Sequence, residues 1–200
     1  MNALIVFFVI FTGMAGTPFL AFAANHPAAD TIENLQASIV AIMKEGDKIG
    51  FEGRYKRFTP VITGSFDLPF IARTTVGRYW DSFDASQKSR FVEAFSRLSI
   101  STYAFNFDTY SGERFVVASQ KDLTGGQYEV KTYLVKADGG KVSLDYVLRL
   151  TANEWRIINV IANGVSDLAL KRADYTNYLK GKGFDALLSK LNEKISHYSP

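Results

Sequence analysis

At Asp108 the chain changes its period. Before it, apolar residues recur three and four apart. After it, they alternate in short runs separated by turn residues. The first spacing belongs to one-sided helices and the second to strands. A chain that segregates the two in this way folds as α+β, with its helices packed on one face of a curved antiparallel sheet. Two hundred residues, 47% hydrophobic and 22% charged, suit one such domain with its own core.

The helical half can be read in some detail. Residues 24–29 read as a linker, and Asp30 is placed to cap a helix carrying Ile32, Leu35, Ile39, Ile42 and Met43 on one side. A second helix is predicted over 51–62, with Pro60 bending or shortening it. Asp67 precedes Leu68-Pro69, an N-cap followed by a proline in the first turn, where the missing N–H costs little. Gly77 stops that short helix and Trp80 falls in the joint. Asp84, three residues before Gln87, has the spacing of a capping box. Phe91, Ala94, Phe95, Leu98 and Thr102 follow on one side of a long helix ending near Phe107.

Four strands are predicted beyond it, over 114–120, 127–136, 141–151 and 154–161. In the third, Val142, Leu144, Tyr146, Leu148 and Leu150 share one face, and Ser143, Asp145 and Arg149 the other. Helix returns over 165–180. Gly181 and Gly183 break it, and a last helix covers 184–196.

Residues 1–23 carry no Lys, Arg, Asp or Glu. Ala3 to Phe11 is apolar but short for a membrane span, and Ala21-Phe22-Ala23 supplies an A-x-A cleavage site. This predicts a signal peptide over 1–23 and a mature domain over 24–200, with an uncleaved inner-membrane anchor as the alternative. The formal charge of +3 then lies wholly on the mature chain. It favours anionic headgroups or an acidic partner. Nucleic acid has no support, because no Lys/Arg run exceeds two residues.

Signs of catalysis are scarce. There is no cysteine, and the two histidines, His26 and His197, lie near the ends of the mature chain. Zinc and copper sites are therefore not expected. No G-x-S-x-G, G-x-G-x-x-G or P-loop pattern occurs. Asp67, Asp81 and Asp84 are the closest carboxylates, and capping accounts for them. Asp145 and Tyr146 would make an acid/phenol pair, but alternation sends them to opposite faces.

The order of motifs resembles the MlaC, or toluene-tolerance, family of periplasmic lipid-binding proteins. It runs from the proline-led short helix through Val76-Gly77-Arg78-Tyr79-Trp80 and Gln87 to Arg90-Phe91-Val92-Glu93-Ala94-Phe95 and then Tyr103. Trp155-Arg156-Ile157, Asn163-Gly164-Val165-Ser166 and Gly183-Phe184-Asp185-Ala186-Leu187-Leu188 continue it, so the resemblance covers roughly residues 35 to 191. Details such as 66–77 and 106–115 look closer to the hopanoid-associated HpnM branch than to the phospholipid carriers.

The resemblance implies an MlaC-like sheet and helices, related in shape to NTF2-like folds. It also implies a cavity for phospholipid or hopanoid, and no cofactor. The implied partners are an inner-membrane transporter of ABC/MCE or RND type and an outer-membrane acceptor. Residues expected to line the cavity are Phe70, Ile71, Val76, Trp80, Phe91, Phe95, Leu98, Tyr103, Tyr128, Val130, Leu134, Leu144, Tyr146, Leu148, Trp155 and Ile157. Arg73 and Arg78 are expected near its mouth. The rival functions are an NTF2-like isomerase or dehydratase, which needs an acid and a Tyr or His converging inside, and an envelope interaction protein with a filled core.

Overall fold

The computed structural model describes residues 26–199. The leader assigned to residues 1–23 lies outside the described residues. Helix α1 (Pro27–Met43) starts three residues before the predicted cap. His26, not Asp30, is its N-cap: Nδ1 accepts a hydrogen bond from the Ala28 N–H at 3.2 Å. Long-range packing orders this end. The imidazole stacks on Tyr128 with ring centroids 3.8 Å apart and meets the Trp155 ring edge-on at 5.1 Å. The predicted apolar side of α1 is buried, together with Gln36, whose amide donates to Thr132 Oγ1 at 3.1 Å.

Helix α2 (Gly46–Ser65) has a non-helical backbone at Gly50, so its second part begins near the predicted residue 51. It runs through Pro60 and ends at Ser65, beyond the predicted residue 62. Asp67 caps α3 (Leu68–Val76) through a 3.1 Å bond from the Phe70 N–H. Gly77 ends α3, and a 3₁₀ segment (Gly77–Ser82) holds Trp80 in the joint. Helix α4 (Ala85–Asn106) opens with a complete capping box between Asp84 and Gln87.

Among the described residues the sheet has five strands rather than four, in the order β1-β2-β3-β4-β5, all neighbours antiparallel. They are β1 (Arg114–Leu123), β2 (Gln127–Val135), β3 (Lys141–Thr151), β4 (Glu154–Ala162) and β5 (Val165–Ser166). The fifth arises because Asn163-Gly164 turns β4 back on itself, both residues having positive φ. That geometry makes a tight hairpin rather than a helix start. Helix α5 (Asp167–Tyr198) therefore begins at Asp167, with Ser166 capping it. Gly181 stays helical. Only Gly183, at φ 79°, breaks the backbone of α5, a conformation that costs a glycine little.

Pairing between β3 and β4 shifts register at Val147/Leu148, where Leu148 faces Ile157 and Val147 faces Asn159. Ile158 is thus an extra residue in β4. Up to Ile157 the odd positions of β4 share a face with Leu148. Beyond Ile158 the even positions Val160 and Ala162 share it with Tyr146 and Leu144. A similar shift lies in β1 at Ala118, between Val117 and Ser119.

Helices α1, α2, α3 and α5 pack against β4, whereas α4 packs on α2, α3 and α5. The opposite face of the sheet carries a charge ladder in which Lys131 pairs with Asp145 at 3.4 Å and Lys121 with Glu129 at 3.2 Å.

Asp67 joins the two halves of the fold. Its Oδ2 accepts from Arg149 Nη2 at 2.8 Å and from Thr151 Oγ1 at 3.1 Å, while the Arg149 guanidinium lies 3.8 Å from the Phe70 ring centroid. Asp67→Ala removes a helix cap and leaves Arg149 without its carboxylate. The expected loss is about 2–3 kcal/mol, which urea unfolding will register as a lower midpoint. Asp67→Asn keeps a capping oxygen and should lose roughly half as much.

Candidate functional site

Because α4 is carried by other helices, a gap remains between it and the sheet. The gap is a cavity of about 330 Å³. Ile62 and Phe66, at the end of α2, line it together with Leu68 and Ile71 of α3. Phe95, Leu98 and Tyr103 of α4 form the roof; Leu144 and Tyr146 of β3 and Ile158 and Val160 of β4 form the floor. These side chains are buried or half-buried. Exposed polar groups gather at the opening: Asn106 from the end of α4, and Asp167 and Lys194 from the two ends of α5, with half-buried Lys171 beside them. Lys171 is ion-paired with Asp167. A smaller recess of about 240 Å³ shares Leu98, Asp167, Lys171 and Lys194 with the cavity and adds the exposed Leu170.

Six of the sixteen expected lining residues meet here: Ile71, Phe95, Leu98, Tyr103, Leu144 and Tyr146. The other ten lie elsewhere. Val76, Phe91, Val130, Leu148 and Ile157 are fully buried core residues. Tyr128 and Trp155 pack on His26. Phe70 lies under Arg149, Trp80 under Lys88, and Leu134 is half-buried on β2 opposite Phe115. Arg73 and Arg78 are not at the mouth; they line separate surface grooves. The cationic groups at the mouth are Lys171 and Lys194 instead. Their signal in the sequence was weak, because exposed lysines on a helix are common. Strict alternation through β4 passes over Ile158 and Val160, because the bulge at Ile158 exchanges the two faces.

Burial pushes the Tyr103 and Tyr146 hydroxyls up, Tyr146 to about 12, with the Gln36 amide pulling the latter back down. The folded protein thus holds these protons more tightly than the unfolded chain, where tyrosine ionises near 10. Their contribution is complete below pH 10 and is lost as pH rises toward the folded value. Tyr146 alone should cost on the order of 2–3 kcal/mol across that window. Urea midpoints at pH 8 and pH 11 will show the decline, and Tyr146→Phe should flatten part of it. A phenol tuned for proton transfer near neutral pH would be shifted the other way. Asp167 does reach the cavity rim, but it is exposed and paired with Lys171. Asp145 lies on the opposite face, bound by Lys131 and by the Ser143 hydroxyl at 2.9 Å. Among the described residues no cluster of three or more His, Asp or Glu could hold a metal.

The fold is shared with a phospholipid-binding protein from Ralstonia solanacearum whose structure was solved in complex with a phospholipid. The TM-score is 0.78, over 88% of this chain and all of that one, at 16% identity. The chain belongs to the MlaC protein family, whose model matches residues 33–193. It is 25% identical over 134 residues to the intermembrane phospholipid transport system binding protein MlaC of Haemophilus influenzae, a match covering 65% of this chain and 63% of that protein. A second relative, the toluene tolerance protein ttg2D of Pseudomonas putida, is 23% identical over 176 residues, or 86% of this chain and 81% of the relative.

Proposed function

We propose that this chain is a periplasmic phospholipid carrier without enzymatic activity, exported by the leader at residues 1–23. It would take lipid from one membrane system and deliver it to another through a transporter at the inner membrane and an acceptor at the outer membrane. The observation that carries this reading is an apolar cavity with a polar, lysine-bearing mouth in a fold whose solved relative was found with a phospholipid.

The physical need is plain. Each methylene exposed to water costs about 0.8 kcal/mol, so a two-chain lipid with on the order of thirty methylenes resists entering water by roughly 25 kcal/mol. A shell that covers the tails removes most of that barrier without catalytic groups or fuel. The cavity, about 330 Å³, is at the small end of ligand sites, so a whole lipid requires it to widen. In the mouth, Lys171 belongs to the first segment of α5 and Lys194 to the second, on either side of the break at Gly183. Separating those segments would enlarge the opening.

The test is to express the full chain, purify the exported form, extract it with organic solvent and identify bound lipid by mass spectrometry. One phospholipid per protein is expected. Protein that is empty as purified, and still empty after incubation with labelled phospholipid vesicles, would overturn the proposal. Recovery of a hopanoid in place of phospholipid would reassign the ligand.

A further inference from the structure

Two shallow grooves meet at Gly77, away from the cavity. One, of about 410 Å³, has Arg78, Tyr79, Arg172 and Lys180 in its walls. The other, of about 250 Å³, has Arg73, Trp80, Asp81 and again Arg172. Gly77 belongs to both and sits at φ 55°; a Cβ there would stand 3.5 Å from the Arg172 guanidinium nitrogens. The guanidinium therefore lies against bare backbone, where the two grooves join.

Four cations, Arg73, Arg78, Arg172 and Lys180, share these walls with one carboxylate, Asp81. None of the four takes part in the ion pairs formed among the described residues. The local excess of three equals the formal net charge of the whole chain, +3. Arg172, Thr176 and Lys180 follow one another at four-residue intervals on α5, a strip of about 12 Å along one helix face. Arg73 and Arg78 extend it from the neighbouring wall.

We propose that this groove is the docking site for an acidic, carboxylate-bearing segment of a protein partner. Guanidinium forks match carboxylates in pairs, and the half-buried Trp80 and Tyr79 are side chains of the kind that anchor protein interfaces. A single phosphate would need one locus, not an elongated strip. A bilayer would call for exposed apolar side chains to insert, and the large exposed ones, such as Phe105, Val165 and Leu170, lie outside the groove. The inference stands on the groove and not on the lipid reading. Lipid content, measured on the same samples, keeps the two apart.

The test uses the exported protein and a fluorescein-labelled peptide rich in Asp and Glu, with an Asn/Gln peptide of equal length as control. The acidic peptide should bind, more weakly as salt rises, and the neutral one should not. Arg73→Gln with Arg172→Gln should weaken binding at least about tenfold. Lys56→Gln with Lys136→Gln removes the same charge from exposed positions elsewhere and should change it by less than about twofold. Arg172→Lys, which keeps the charge and loses the fork, should fall between. The proposal is overturned if the acidic peptide does not bind, if both double variants weaken it equally, or if phosphatidylglycerol vesicles show the arginine dependence and the peptide does not.

Discussion

A Leu144→Glu variant is expected to purify as a folded protein with no lipid in it. Leu144 stands on the cavity floor, half-buried and in reach of the water at the mouth. A carboxylate there keeps part of its hydration and does not unfold the sheet. It does place charge where hydrocarbon would lie. Excluding three or four methylenes from that wall costs about 3 kcal/mol of lipid affinity, or more than a hundredfold. Mass spectrometry of the extracted variant and its thermal transition, lowered by only a few degrees, check both halves of the statement. Leu144→Ala should still load. Full loading of the glutamate variant would mean that the tails lie somewhere other than this cavity.

Leu148→Glu, four residues along the same strand, should behave in the opposite manner. Leu148 is fully buried between Tyr128 of β2 and Ile157 of β4, and it is not part of the cavity wall. Its neighbours across the strands, Tyr128 and Ile157, offer a carboxylate no positive charge. Burying the charge costs roughly 3–5 kcal/mol or more, against a total stability of about 5–15 kcal/mol for a domain. The variant should accumulate as insoluble protein or lose its cooperative thermal transition, whatever lipid is supplied. Val130→Glu, equally buried, should do the same. Circular dichroism melts of the two strand variants side by side separate a wall position from a core position. A soluble Leu148→Glu protein with an ordinary melt would show that this part of the core yields more than its packing implies.

The contrast also shows what a one-dimensional pattern carries. Helix starts at Asp67 and Asp84 were legible because capping is local: the oxygen and the N–H it serves are three residues apart. The inward face of β3 was legible because its alternation runs unbroken from Leu144 to Leu148. The inward face of β4 was only half legible. An inserted residue at Ile158 exchanges odd for even positions, and a bulge leaves no mark in an alternating string of Ile, Asn and Val. His26 falls in residues that read as a linker for a related reason: its order comes from Tyr128 and Trp155, more than a hundred residues away. Phe91 and Phe95 share a helix face, yet only Phe95 lines the cavity. Phe91 is covered by Phe83 and Tyr175. Which apolar residues fill a core and which enclose space depends on how far α4 is held from the sheet, a distance no spacing rule encodes.

Among the described residues the first strand has a neighbouring strand on one side only. A bare margin of ten residues invites a second copy to extend the ladder. The inserted Ala118 interrupts the regular pleat midway, and Lys121 and Asp122 place charges along the remainder. At the far border, β5 is two residues long and gives a newcomer little to grip. Both margins thus offer an added strand little regular backbone to pair with.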